Sequence, residues 1–312
     1  MRHARGRWDV GYGWIRALFL MTIAIGMMPV RTVLIAAAFL AVPAVAAAQA
    51  APPAPSPSAS PAADATARLQ IATENPLSYL LKIPFQYNLN FEDGADRLTQ
   101  QQLKIEPIVP TQLGNGGLWV SRFVLPVESV PPAKPTDQWT AGLGDLNPQF
   151  YYTPRAGPVM FGFGPTFSIP TGSNSSLGNG KWCAGADAAF VDAQPRSLFY
   201  VLAYNYWGFA GNTWKKTVDS GNIQPTASWV LGHGFDLGVQ SNTSVNWTSQ
   251  GAGKWTVPLG PTWSQMIDLD TSGSKAQIGG GFFWNVVRPI PNGSTWTARV
   301  QLTFVYPDAQ QP

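Results

Sequence analysis

Charged residues are scarce in this 312-residue chain: Asp, Glu, Lys and Arg together make up 12% of it, about half of the usual share. Cysteine occurs once, at Cys183, which excludes an intramolecular disulfide framework and a cysteine-based metal cluster. No apolar run reaches the ~18 residues that a helical membrane span needs. Neither disulfides nor a cysteine-bound metal nor a spanning helix therefore organises the chain.

The excess of basic residues is confined to the start of the chain. The whole sequence has 20 Lys and Arg against 17 Asp and Glu. Residues 1–50 hold five arginines and one aspartate, so the remainder has 15 basic and 16 acidic residues and a net charge of −1. A nearly neutral chain gives no reason to expect nucleic acid as a partner.

Aromatic residues are abundant, at 12% of the chain with 13 tryptophans, as suits an exterior that meets lipid and carries aromatic belts at its rims. The stretch 295–306 alternates apolar residues (Trp296, Ala298, Val300, Leu302, Phe304, Tyr306) with mostly polar ones (Thr297, Arg299, Gln301, Thr303). A period of two is that of a β-strand with two unlike faces. The wall of a transmembrane β-barrel satisfies both faces, with lipid outside and a wet lumen inside.

The same alternation recurs from Ile83 onward and predicts about twelve strands, an even number, as single-chain bacterial barrels prefer. Prolines conflict with a regular ladder, so we expect bulges or shorter strands at Pro84, Pro107, Pro126, Pro148, Pro165, Pro225, Pro258 and Pro261. Long polar connections (92–100, 128–140, 171–181, 211–222, 248–253, 288–294) alternate with short ones (114–117, 155–157, 194–196, 232–234, 271–273). This is the asymmetry of outer loops and periplasmic turns.

The region before the barrel divides in two. Residues 1–50 predict a cleaved export signal, because Arg31 precedes the apolar run Val33–Val45 and small residues at 46–50 offer a cleavage site. The earlier apolar run makes an extended n-region or marks a later translation start. Residues 51–73 are rich in Ala, Pro and Ser and predict a disordered spacer. We therefore expect an all-β fold, a transmembrane antiparallel up-and-down β-barrel of about twelve strands, within residues 74–312.

Short motifs follow one another along residues 74–307. They are Asn75-Pro76, Ile83-Pro84-Phe85-Gln86-Tyr87-Asn88, Ser121-Arg122-Phe123-Val124-Leu125-Pro126, Gly142-Leu143-Gly144-Asp145, Gly162-Phe163-Gly164-Pro165, Gly178-Asn179-Gly180-Lys181-Trp182, Trp255-Thr256-Val257-Pro258-Leu259 and Ser264-Gln265. As an ordered set they resemble a family of bacterial outer-membrane transporters linked to the meta-pathway of phenol degradation, sometimes mislabelled neuromedin U. The resemblance implies an outer-membrane β-barrel with an uptake role. It implies no catalytic residue and no particular substrate.

Nine charged residues fall on the predicted polar faces and are candidates for lining the lumen. They are Lys104, Glu106, Arg122, Asp145, Asp187, Asp236, Lys254, Lys275 and Arg299. In one interpretation they set the selectivity of a permeation path; in the other they pair with each other and fill a narrow lumen. Tyr151, Phe283 and Val305 also fall on these faces and form either a greasy patch for a hydrophobic solute or packing beneath a plug.

Catalytic chemistry has little support in the sequence. His233 is the only histidine outside the signal, and it lies between two glycines in a predicted periplasmic turn. We expect no Ser–His catalysis, no cofactor and no metal site. Asp219, Asp93 and Glu92 in the outer loops match no calcium-loop spacing.

The function that these observations favour is passive uptake of small hydrophobic or aromatic compounds across the outer membrane of a Gram-negative bacterium. The alternatives are a non-transporting structural or surface-interaction barrel and a lipid-active outer-membrane enzyme. The expected partners are outer-membrane lipid, lipopolysaccharide and the outer-membrane assembly machinery, with no nucleic acid.

The alternation of faces makes a solubility prediction. We expect the protein to be recovered from bacterial membranes only with detergent, because one face of every strand needs an apolar surrounding. Fractionation of the expressing cells, followed by extraction with and without detergent, checks this. A protein that stays freely soluble without detergent contradicts the barrel.

Overall fold

The computed structural model describes residues 61–93, 96–132, 138–269, 275–289 and 293–306. The predicted signal, residues 1–50, and the first part of the predicted spacer lie outside these ranges. Within them, one α-helix precedes a series of β-strand segments. No helix in this part of the chain is long and apolar enough to cross a membrane.

The helix α1 spans Pro61–Glu74. The strand segments are β1 (Leu81–Asp93), β2 (Leu98–Ile105), β3 (Ile108–Gln112), β4 (Leu118–Val130), β5 (Thr140–Leu143), β6 (Asn147–Thr153), β7 (Val159–Ser168), β8 (Lys181–Ala193), β9 (Ser197–Gly211), β10 (Asp219–Gly232), β11 (Phe235–Ser241), β12 (Thr243–Asn246), β13 (Trp255–Asp268), β14 (Lys275–Val287) and β15 (Trp296–Tyr306). A short 3-10 helix, Gly251–Lys254, leads into β13.

The segments form a single antiparallel sheet that closes on itself. β1 pairs with β15, from Leu81 opposite Tyr306 to Phe91 opposite Trp296, and β9 pairs with β10. Three pairs of segments are interrupted halves of one strand, because β2 and β3 both pair with β4, β5 and β6 both pair with β4, and β11 and β12 both lie between β10 and β13. The wall therefore has twelve antiparallel strands, and the predicted barrel is confirmed.

Pro107, Pro225 and Pro258 lie at irregularities of the ladder, as predicted, whereas Pro84, Pro126, Pro165 and Pro261 lie within stretches of regular register. Pro107 separates β2 from β3, and its carbonyl still accepts a hydrogen bond of 3.0 Å from the Phe123 amide. Pro225 lies between the part of β10 that pairs with β12 and the part that pairs with β11. The register of β13 shifts between Val257 and Pro258. Because proline has no amide to donate, these breaks cost the wall few hydrogen bonds.

The two faces of the wall differ as the alternation predicts. On β7 the side chains of Phe161 and Phe163 point outward and are 62% and 54% exposed, whereas Met160, Thr166 and Ser168, on the alternate positions of the strand, are buried. Inward-facing polar side chains are buried around the whole wall; examples are Lys82, Gln86, Asn88, Gln149, Thr226, Asp236, Gln240, Gln277 and Thr303. The barrel thus has an apolar exterior and a polar, crowded interior.

The barrel has two unlike ends. Leu81 and Tyr306 lie at one end with the short connections, such as the one between Gly232 of β10 and Phe235 of β11; we call it the turn end. The opposite end carries connections that are mostly longer, such as the one between Ser168 of β7 and Lys181 of β8; we call it the loop end. This alternation agrees with the predicted asymmetry of the connections.

The helix α1 lies inside the barrel, and over residues 61–73 this corrects the prediction of a disordered spacer. The structure describes residues 61–73 as helix. Ala67, Ile71 and Leu77 are buried in one apolar cluster with wall residues that include Tyr151 and Leu198. Composition pointed to a spacer because the segment has no apolar periodicity. Alanine nevertheless favours helix, and two or three apolar side chains suffice when the wall supplies the rest of the core.

The C-terminal end of α1 is fastened to the wall by Lys82 of β1. The Lys82 ammonium is buried and donates hydrogen bonds to the carbonyl oxygens of Thr73 and Asn75, each at 2.6 Å. The last carbonyls of a helix have no partner within the helix, and a cation at that end also meets the negative pole of its dipole. Lys82 therefore supplies hydrogen-bond donors to the carbonyl groups at the end of the helix. The same hydrogen bonds offset the cost of burying its ammonium group.

Leu77, just after α1, packs against the wall. It is fully buried, and a Cβ added to Gly162 of β7 would lie 3.2 Å from its methyl groups. We expect Leu77→Ala to loosen the segment by about 2–5 kcal/mol, the cost of deleting a buried leucine side chain. Hydrogen–deuterium exchange of peptides covering α1, in detergent, measures the effect. Tyr79→Ala, at a 41% exposed side chain of the same segment, is the control; equal protection in both variants contradicts the prediction.

Candidate functional site: a polar cavity inside the barrel

The interior of the barrel holds a cavity of about 260 Å³. Four basic side chains line it, Lys82, Lys104, Arg122 and Arg299, together with two carboxyl groups, Glu74 and Glu106. Most of the remaining lining consists of amide and hydroxyl side chains, including Gln86, Asn147, Gln149, Asn222, Gln224, Thr226, Gln240, Asn242, Thr262, Ser264, Gln277, Gln301 and Thr303. The residues Thr73, Glu74 and Pro76 at the end of α1 also line it, so the helix forms one boundary of the cavity.

Arg122 and Glu106 form an ion pair within the cavity wall. Arg122 Nη2 lies 2.7 Å from Glu106 Oε2, and both side chains are largely buried. Arg122 Nη1 donates a second hydrogen bond, of 3.0 Å, to Gln149 Oε1. Because each charge has a partner and a fixed orientation, this pair fills and stiffens one side of the interior.

Arg299 and Lys104 are held differently. Arg299 Nε donates to Asn88 Oδ1 at 3.0 Å, Nη1 donates to Gln240 Oε1, and the guanidinium carbon lies 4.5 Å from the centre of the Phe283 ring. Its partners are thus neutral. In the part of the chain that the structure describes, the Lys104 ammonium has neither a hydrogen bond nor an ion pair.

Glu74 and Asp236 meet at the contact between α1 and the wall. The Ser264 hydroxyl lies 2.8 Å from Glu74 Oε1 and 2.7 Å from Asp236 Oδ1. A hydroxyl carries one proton and can donate to only one of the two carboxyl groups. Burial, and then the neighbouring Asp236 carboxyl, raise the pKa of Glu74 to about 8. A proton on Glu74 relieves the repulsion between its carboxyl group and that of Asp236.

The predicted lumen residues separate into two groups. Lys104, Glu106, Arg122 and Arg299 line the cavity, and Asp236 lies beside Glu74. The other four lie elsewhere.

Two of these four are buried aspartates. Asp145 accepts hydrogen bonds from the amides of Gly172, at 3.1 Å, and Asn179, at 2.5 Å, and so ties down the long connection between β7 and β8. Asp187 is buried in the wall, and neither carboxyl oxygen has a hydrogen-bond partner within the described residues.

The other two are lysines at the ends of the barrel. Lys254, at the loop end, lies 5.5 Å from the centre of the Trp247 ring. Lys275, at the turn end, pairs with Asp268. Both interactions belong to the rims and contribute nothing to the cavity.

Sequence reasoning missed Glu74 and Lys82 as site residues. Lys82 continues the inward series Lys82, Pro84, Gln86 and Asn88 of β1 by one step, so the period of two could have found it. Glu74 gives no such signal, because its partners Ser228, Ser264 and Gln277 stand 154 to 203 residues away in the chain.

Other candidate chemistry finds no support in the described ranges. His233 lies at φ 51° in the turn Gly232–Gly234 between β10 and β11, at the turn end as predicted. Cys183 is buried in β8. No group of three or more His, Cys, Asp or Glu side chains there could hold a metal ion.

The fold is similar to solved outer-membrane β-barrels. An outer membrane channel from Pseudomonas putida F1 matches with 15% sequence identity and a TM-score of 0.54, over 73% of this chain and 94% of that one. The NanC porin has 12% identity and a TM-score of 0.43, over 72% and 98%. Outer membrane phospholipase A from Escherichia coli has 11% identity and a TM-score of 0.37, over 78% and 98%.

The likeness to the Pseudomonas channel shows the fold, which is that of an outer-membrane β-barrel. No protein-family model matches the chain, and no curated protein does. The link to phenol degradation that the sequence motifs imply therefore stays a prediction.

Glu74 makes the seating of α1 depend on pH. A carboxyl group whose pKa is higher in the docked state binds its proton more tightly there, so docking is strongest below the ordinary pKa of about 4.5 and weakens as pH rises toward about 8. We expect hydrogen–deuterium protection of α1, corrected for intrinsic exchange, to fall between pH 5 and pH 9. Glu74→Gln should make it independent of pH, and Asp64→Asn on the same helix should leave the wild-type trend. Protection that is flat with pH in the wild type contradicts the assignment.

Proposed function

We propose that this protein is a passive outer-membrane channel for small compounds, including hydrophobic or aromatic ones. The observation that carries the proposal is the polar cavity inside a closed barrel whose fold is shared with an outer membrane channel. A purely structural barrel needs no polar cavity, because an interior packed with apolar side chains avoids the cost of burying polar groups.

The size of the cavity supports slow passage of single small molecules. Barrels of few strands have interiors that side chains almost fill, and here α1 occupies further room. The remaining 260 Å³ is close to the lower end, about 300 Å³, of small-molecule pockets. A general porin with a wide water-filled bore does not fit this interior.

The lining also supports solutes with an aromatic or apolar part. Tyr200, Leu202 and Tyr204 of β9 all face the cavity, and Phe283 lies beneath Arg299. Aromatic side chains offer flat apolar surface to a ring, and the tyrosines among them also present a polar hydroxyl. The predicted association with a pathway of aromatic degradation fits such a lining.

The exterior supports residence in the outer membrane of a Gram-negative bacterium. Exposed aromatic side chains gather toward the loop end, among them Trp182, Trp207, Trp247, Trp284 and Trp296, where an aromatic belt meets the headgroups. In this arrangement the loop end faces outward toward lipopolysaccharide and the turn end faces the periplasm. Export by a cleaved signal and insertion by the assembly machinery complete the proposal.

The alternative of a lipid-active enzyme has no specific observation in its favour. His233 lies at the turn end, far from the outer leaflet in the proposed orientation. The alternative of a non-transporting barrel is decided by the conductance measurement below.

Planar-bilayer recording tests the channel. We expect the full-length protein to give small stepwise conductances, and Lys82→Met to give larger ones, because the substitution removes the hydrogen bonds that hold the end of α1. Lys275→Met, which removes a lysine from the turn-end rim, is the matched control and should conduct like the wild type. Heat-modifiable migration on gels verifies folding of each variant. Folded protein that carries no current, as wild type and as Lys82→Met alike, refutes the channel and favours a structural barrel.

A further inference from the structure

We propose that the cavity binds small organic anions, specifically carboxylates that carry an apolar or aromatic body. This inference rests on the proposed function and deepens it by naming the class of solute.

The cavity lining carries more positive than negative charge. Four basic side chains face two carboxyl groups, Glu74 and Glu106. Lys82 is occupied by the carbonyl oxygens at the end of α1, and Arg122 is paired with Glu106. Arg299 and Lys104 remain without a carboxylate bonded to them in the described ranges.

Glu106 alone cannot balance these cations. It is close enough to interact electrostatically with Arg122, Lys104 and Arg299, but its direct ion pair is with Arg122. Glu128 and Asp187 lie on other inward-facing positions, and neither lines the cavity. Glu128 accepts a hydrogen bond of 2.6 Å from Gln102 and interacts electrostatically with Lys104, without a direct ion pair between them. A cation taken out of water without a counter-charge is costly, and an anion from solution removes that cost.

Arg299 is oriented to receive such an anion. Its Nε and Nη1 groups hold the oxygens of Asn88 and Gln240, and the Phe283 ring supports the guanidinium face. Nη2 makes no hydrogen bond within the described residues, and the Lys104 ammonium makes none either. A fixed guanidinium with a free N–H edge is well suited to a carboxylate, and Lys104 adds a mobile second donor.

The cavity lining also includes apolar surface that can contact the apolar or aromatic part of the ligand. Tyr200, Leu202 and Tyr204 form an apolar stripe on β9 that faces the same space. The Tyr204 hydroxyl has no hydrogen-bond partner in the described ranges. A cavity of 260 Å³ accepts one ring with a carboxylate.

Block of the channel current by sodium benzoate tests the proposal, with benzyl alcohol as a neutral ligand of similar shape. We expect benzoate to block the wild-type channel in planar bilayers and benzyl alcohol to block it much more weakly. Arg299→Gln and Lys104→Gln should each weaken the benzoate block at least about tenfold, the effect of losing a charge-assisted hydrogen bond, and should shift the reversal potential in a KCl gradient toward cation preference.

Two matched controls exclude a general loss of positive charge. Arg155→Gln changes an exposed arginine in the turn between β6 and β7, and Lys254→Gln changes a lysine at the loop-end rim. Benzoate should block the current of both variants as it blocks that of the wild type. A channel that conducts but is blocked equally by benzoate and benzyl alcohol, or equally in the Arg299 variant, overturns the anion site and leaves the proposed function standing. A folded protein that conducts nothing overturns both.

Discussion

The structure depends on one constraint: a wall exposed to hydrocarbon must pair all of its backbone amides and carbonyls within the protein. Closure of the sheet through the β1–β15 and β9–β10 pairings meets this constraint without leaving an edge. The wall tolerates interruptions such as Pro107 because neighbouring amides still reach the carbonyls around them. Closure in turn forces every second side chain into a confined interior, and the chemistry of the protein follows from what has to be accommodated there.

The side chains that point into the barrel are arranged in two ways. Toward the turn end, α1 and Leu77 complete an apolar cluster with the wall, and Lys82 and Ser264 satisfy the polar groups that the helix brings with it. Beyond the end of α1, polar side chains surround a cavity instead. The helix is therefore both part of the core and a boundary of the site, which is why a titratable group at its end, Glu74, couples its seating to pH.

The charged interior residues show why the two interpretations drawn from sequence could not be separated there. Arg122 and Glu106 behave as a pair that fills space. Arg299 has only neutral partners, and Lys104 has none among the described residues. Alternation along a strand says that a side chain points inward, but the identity of its neighbour depends on which strands face each other across the barrel. Gln240 and Arg299, for example, are 59 residues apart.

By itself the sequence determined the class of fold, the twelve strands, the unlike faces and the alternation of connections, because a period of two and the turn residues are local properties of the chain. It also placed Lys104, Glu106, Arg122 and Arg299 on inward faces. Only the tertiary structure decided that residues 61–74 fold into the barrel. It also decided that the side chains of Leu198, Tyr200 and Leu202 of β9 are buried in the interior, and which cations stay unpaired. These outcomes rest on contacts between distant segments, whose energies exist only once the wall has closed around them.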